Sequence, residues 1–126
     1  MIYKTQTNTP LETVKAEIQD KAKALGFGVL GSYDFQNILH NKGFELDTPI
    51  TVYELCNPPA ANMALNAIPD ISVYLPCRIS VYEQNGVTVL ATIGIEDILN
   101  AVDVDDDFKQ HMGEIFNNLR TLMDTL

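Results

Sequence analysis

The pair Asn85-Gly86 constrains this chain more than any other short stretch. It sits in "ISVYLPCRISVYEQNGVTVLATI", between two runs rich in valine, isoleucine and tyrosine. Asn-Gly between alternating β-branched and aromatic residues favours the tight turn of a β-hairpin, because both residues tolerate the left-handed backbone that turn requires. The spacing therefore predicts strands at 71–83 and 87–93, joined through "QNG" and paired antiparallel. Such a pair is marginal alone and needs further strands and a covering layer.

Helical spacing supplies that layer. Leu11, Val14, Ile18, Ala22 and Leu25 fall on one face of a helix; Thr9 and Glu12 fit a capping box, Pro10 suits the first turn, and Gly26 is placed to end it. Phe108, Met112, Ile115, Phe116, Leu119, Leu122 and Met123 mark a second, strongly amphipathic helix. Residues 1–8, 27–33 and 48–56 read as strands. Short helices are expected after Asp34 as far as Gly43, from Asn57 to about Ala67, and from Ile95 to Ala101. Strands in the middle and helices towards both ends predict an α+β two-layer sandwich: one domain over 1–126, with a mostly antiparallel sheet carrying helices on one face.

Alternation then assigns the faces. Ile71, Val73, Leu75, Cys77, Ile79 and Val81 are expected in the core, with Tyr74, Arg78, Ser80 and Tyr82 opposite. In the 48–56 strand, Ile50 and Val52 are expected to share the core face with Glu54 and Cys56. A carboxylate there needs a donor, a ligand or a bulge that turns it outward. Pro76 cannot donate to a strand ladder and is a point where alternation can break. Tyr53, Leu55, Tyr74, Tyr82, Leu90 and Arg78 collect on the other face, a mixture suited to a protein interface, which predicts a homodimer.

Composition narrows the function. The formal net charge of -9 repels nucleic acids and anionic lipid surfaces, so neither partner is expected. The longest apolar run, "VTVLATIGI", is far short of the roughly 20 residues that span a bilayer, and the N-terminus carries no apolar targeting segment, so a cytoplasmic location is expected. The two cysteines, Cys56 and Cys77, are then expected as reduced thiols. His40 and His111 lack metal-binding spacing, and Asp103, Asp105, Asp107 and Glu114 imitate a calcium loop but place Phe108 where glycine is required. No residue is assigned to a metal, and no motif points to a cofactor.

Glu54-x-Cys56-Asn57-Pro58, then Leu75-Pro76-Cys77-Arg78 and Val81-Tyr82-Glu83, with Gly26-Phe27 and Lys42-Gly43-Phe44, make the chain resemble the bacterial and archaeal family called domain of unknown function 302 over about residues 2–100. The resemblance implies a small α+β fold with a curved antiparallel sheet, similar to the TATA-binding-protein-like arrangement, and homodimerisation. It brings no established activity.

The candidate site is the junction "ELCNP" together with "LPCR". Asn57 caps a helix; Cys56, facing that helix's free amides and dipole, is either a nucleophile or ligand, or a small buried hydrophobe. Glu54 is a candidate acceptor or proton-transfer group; Cys77 is either a core residue among the apolar neighbours of its strand face or the partner of Cys56 in redox or metal chemistry. Arg78, one of only two arginines, is a counter-ion for an anionic ligand or half of an inter-subunit ion pair. Glu54, Cys56, Asn57, Cys77 and Arg78 are thus expected to bind a small anionic or thiol-reactive ligand. The alternatives are a thiol-dependent redox enzyme using Cys56, and a structural or protein-interaction domain.

Overall fold

The computed structural model describes residues 1–126. It contains β1 (Ile2–Thr7), α1 (Leu11–Ala24), β2 (Gly28–Asp34), α2 (Phe35–His40), β3 (Ile50–Cys56), α3 (Pro58–Ala67), a 3-10 helix (Pro69–Tyr74), β4 (Cys77–Gln84), β5 (Val87–Ile93), α4 (Ile95–Ala101) and α5 (Asp106–Thr125). The strands form one five-stranded sheet in the order β1-β5-β4-β3-β2, with every neighbouring pair antiparallel. This is the α+β sandwich expected from the pattern of elements.

The hairpin turn forms where the Asn-Gly pair requires it. Gln84 pairs with Val87, and Asn85 and Gly86 take φ of 53° and 80°, the left-handed values of a type I′ turn. Helix ends follow their local chemistry too. Gly26, at φ 87°, closes α1 with paired bonds from its own amide to the Lys23 carbonyl (3.1 Å) and from the Phe27 amide to the Ala22 carbonyl (2.9 Å), a Schellman ending that turns Phe27 into the core. The start of α1 differs from expectation. Pro10 occupies the cap position with no side-chain hydrogen bond, and the Thr9 hydroxyl donates to the Leu126 carbonyl instead (3.1 Å), so no capping box forms. Asp34, Asn57 and Asp105 accept from the amides of Asn37, Ala60 and Phe108 and cap α2, α3 and α5.

One buried cluster joins the helices to the sheet: Val14, Ile18 and Ala22 of α1, and Phe108, Met112, Phe116, Leu119, Leu122 and Met123 of α5, meet Tyr53, Leu55, Ile79, Val81 and Leu90. Two expectations are corrected here. The predicted 71–83 strand is shortened at its start: Pro69–Tyr74 winds into a 3-10 helix, the Leu75-Pro76 bond is cis, and only Cys77 onward is strand. Ile71 is buried from that helix, whereas Val73 points to solvent at 75% exposure.

The second correction concerns the sheet faces. Directly paired residues share a face in an antiparallel sheet, and β3 pairs with β4 as Tyr53↔Ile79, Glu54↔Arg78 and Leu55↔Cys77. Since Ile79 and Val81 are core, Tyr53 and Leu55 are core with them, and Ile50, Val52 and Glu54 belong to the open face beside Arg78, Ser80 and Tyr82. Leu90, paired with Val81, is also interior, and Tyr74 lies on the 3-10 helix. The face expected to carry Tyr53, Leu55, Tyr74 and Leu90 therefore does not exist in that form.

Candidate functional site

The two cysteine motifs converge, but not all of their residues do. Cys56 ends β3 and Cys77 begins β4; with Leu55 directly paired to Cys77, the cysteines are diagonal neighbours on adjacent strands. Both line a cavity of about 280 Å³ roofed by α3. Its wall comprises 14 residues, 11 of them hydrophobic, including Leu55, Ala60, Ala61, Ala64, Leu75 and Met112. Asn57 and Ser72 add the polar edge. The space is a consequence of side-chain size: Ala60, Ala61 and Ala64 lie on one side of α3, and methyl groups cannot fill the gap between a helix and the sheet end below it. Leu30 and Leu65, both more than a third exposed, also line it.

Electrostatics inside the cavity disfavour charge. Burial, then repulsion from Cys56, pushes the Cys77 thiol up from 9.0 to about 11, against a smaller opposing pull from a backbone hydrogen bond and from Arg78. Near neutral pH Cys77 is a protonated, apolar wall residue. Asn57 is committed locally, since its Oδ1 accepts from the Ala60 amide at 3.1 Å.

Glu54 and Arg78 lie elsewhere, on the open sheet face. Glu54 Oε2 is 3.3 Å from the Arg78 guanidinium, and Glu54 Oε1 accepts from the Tyr33 hydroxyl at 2.7 Å, so the carboxylate has both a charge partner and a donor. Its side chain is 15% exposed and that of Arg78 is 52% exposed. The hydrogen bond to Glu54, and then its negative charge, raise the Tyr33 phenol above its ordinary value. The single polar pocket expected from Glu54, Cys56, Asn57 and Arg78 is thus divided. Cys56, Asn57 and Cys77 line the cavity, and Glu54 and Arg78 form a surface cluster with Tyr33. Plain strand alternation separates Arg78 from Cys77, and Pro76 does not reverse it because the strand starts only after it.

Two contributors were not identified from sequence. Tyr33 reaches Glu54 because a bulge between Val29 and Gly31 shifts the register of β2. Met112 belongs to the core stripe of α5, and nothing in its spacing distinguishes a cavity wall from a filled core. The run of alanines in α3 was the available signal for empty space.

No group of three or more histidine, cysteine, aspartate or glutamate side chains is arranged to hold a metal ion. No helix is long and apolar enough to cross a membrane.

These features define an α+β protein with an open antiparallel sheet and a thiol-lined cavity under one short helix. The chain belongs to the family described as domain of unknown function DUF302, whose model matches residues 3–126. The match includes the C-terminal helix that the motif resemblance left out. The fold is similar to that of an uncharacterised conserved DUF302 protein from Bacillus stearothermophilus, solved by crystallography, at 27% identity and a TM-score of 0.85, covering 98% of this chain and 95% of that one. A search of curated proteins found no match.

Proposed function

We propose that this chain is a binding module for a small, largely apolar, thiol-reactive ligand, held in the cavity between α3 and the ends of β3 and β4. The observation that carries this reading is that both cysteines line one apolar cavity of about 280 Å³. A ligand there contacts mostly hydrocarbon and two thiols. No basic side chain lines the wall, so an anionic head group has no counter-ion inside it, and the ligand class narrows from anionic or thiol-reactive to apolar and thiol-reactive.

Titration with the neutral fluorescent probe N-phenyl-1-naphthylamine tests the reading. Saturable binding at one site is expected, weakened at least about tenfold, or 1.4 kcal/mol, by Ala61→Phe, which fills the cavity from α3. Binding unchanged by Ala61→Phe, or absent from the unaltered protein, would refute the cavity as a ligand site. A Cys56→Ala, Cys77→Ala double variant that keeps the probe favours a binding module. Loss of a measured thiol-dependent turnover in Cys56→Ala alone favours the redox alternative.

Association through the open sheet face is supported by a separate observation. Ile2, Val52, Ala91 and Ile93 form an apolar groove beside Arg78, and Ile2 and Ile93 are exposed. A second copy laid on that face would cover them. Sedimentation equilibrium at micromolar concentration distinguishes a dimer from a monomer, and Val52→Glu is expected to shift a dimer towards monomer.

A further inference from the structure

Asn85-Gly86 shapes the hairpin, and the same two residues carry a reaction that the fold leaves open. The backbone nitrogen that follows an asparagine can attack its side-chain carbonyl, and a Cβ on the attacking residue crowds that approach. Glycine has none. Asn85 is the one asparagine of the chain followed by glycine. Gln84, Asn85 and Gly86 are exposed, the Gly86 amide takes part in no hydrogen bond of turn or ladder, and the Asn85 carboxamide has no protein partner. Beyond its chain neighbours, no atom lies within 4 Å of the place a Cβ of Gly86 would occupy. Solvent therefore reaches both reacting groups. Asn57 and Asn66 show the contrast. Pro58, after Asn57, has no amide N–H to attack with, and Asn57 Oδ1 is committed to the Ala60 amide at 3.1 Å. Asn66 Nδ2 donates to the Asn62 carbonyl at 2.8 Å, and both residues are fixed within α3.

We propose that Asn85 is a site of spontaneous deamidation to aspartate and isoaspartate, a covalent modification independent of the cavity. The left-handed backbone of Asn85, at φ 53°, first has to open, and no hydrogen bond of either reacting group resists it. The Gly86 nitrogen then loses its proton to water or hydroxide and bonds to Asn85 Cγ, the Cγ–Nδ2 bond breaks, and ammonia leaves. A succinimide ring results, with no electron transferred. Water opens the ring at either carbonyl. Attack at Cγ gives aspartate, and attack at the main-chain carbonyl gives isoaspartate, whose main chain runs through the side-chain carbons. The two products differ in consequence. Asp-Gly favours the same type I′ turn, so aspartate keeps the hairpin. Isoaspartate adds a methylene to the main chain of a two-residue loop, which displaces the adjacent Gln84↔Val87 pair and strains a ladder that also carries the buried pair Val81↔Leu90. β4 runs from the cavity at Cys77 to the turn at Gln84, a separation of about 20 Å.

The test is incubation of the folded protein in mildly alkaline buffer beside a urea-unfolded sample that serves as the clock. Peptide mapping by mass spectrometry locates each amide lost, and methylation by an isoaspartate-specific carboxyl methyltransferase with labelled S-adenosylmethionine counts isoaspartate. Asn85 is expected to convert before any other asparagine of the folded protein. Asn85→Gly keeps residues suited to the type I′ turn and removes the reacting carboxamide, so the methylation signal should be lost from it while its melting temperature confirms that it is folded. The products, separated by ion exchange, should melt differently: the isoaspartate form below the unaltered protein, and the aspartate form with it. Asn85 left intact when the unfolded sample has fully converted, another asparagine converting first, or undiminished methylation of Asn85→Gly would overturn the site. An isoaspartate form that melts with the unaltered protein would overturn its effect on the hairpin.

Discussion

The Cys77 thiol links cavity structure to stability. Its ionisation is raised from 9.0 to about 11, first by burial and then by repulsion from Cys56. A group whose folded-state value lies above its unfolded value holds its proton more tightly in the native protein. Its stabilising contribution is therefore fully present below about pH 9 and is lost as pH rises towards 11. Two pH units correspond to about 2–3 kcal/mol, at about 1.4 kcal/mol per unit. Urea unfolding of the unaltered protein and of Cys77→Ala, compared between pH 8 and pH 11.5, isolates this contribution. Other groups that titrate in this range, including Tyr53, which burial also raises, are present in both proteins and cancel in the difference. The unaltered protein should lose about 2–3 kcal/mol more than the variant across that window. Cys56→Ala should show a smaller loss than the unaltered protein, because it removes the repulsive part. Parallel profiles for the unaltered protein and Cys77→Ala would show that the thiol is not desolvated in the native state and that the wall between β3 and β4 is wet.

Phe116, 2% exposed at the centre of α5, should cost about 3–5 kcal/mol when truncated to alanine, measured by urea denaturation; a neutral result would detach α5 from the sheet. Gly94→Ala should cost about 1–3 kcal/mol, because a Cβ there would lie 2.7 Å from the Met1 carbonyl oxygen that its own amide donates to, and the start of β1 must shift; an unchanged melting temperature would contradict that crowding. Glu54→Gln should return Tyr33 towards ordinary phenol titration, followed by phenolate absorbance, since Glu54 supplies its two largest upward influences; no change would mean that Tyr33 and Glu54 are not bonded in solution.

Much of the fold is readable from local chemistry, and the site is readable only in part. Asn85-Gly86 and Gly26 specify their own backbone, so the hairpin and the end of α1 follow from the residues. The stripe from Phe108 to Met123 likewise specifies the buried side of α5. Face assignment in β3 is a non-local property. Ile50-Val52 and Tyr53-Leu55 are equally plausible as an interior pair until the register Tyr53↔Ile79 chooses between them. Glu54 is the residue most affected by that choice. The requirement for a partner was sound, and the partners are Arg78 and Tyr33 on the open face rather than a pocket beside Cys56. Thr9 fails as a cap because its hydroxyl finds the distant Leu126 carbonyl, a contact no local motif encodes. The cavity likewise depends on what α3 lacks. Its alanines give the helix a small-residue face, but only packing against β4 and α5 shows that nothing else fills the gap.

Methyl NMR of protein labelled at alanine and methionine methyl groups, titrated with N-phenyl-1-naphthylamine, tests the cavity as a ligand site most directly. Ligand binding under α3 predicts saturable shifts at Ala61, Ala64 and Met112, with Met123 and the open-face Ala91 unmoved. Shifts confined to Ala91, or none at the α3 alanines at saturating probe, would contradict it.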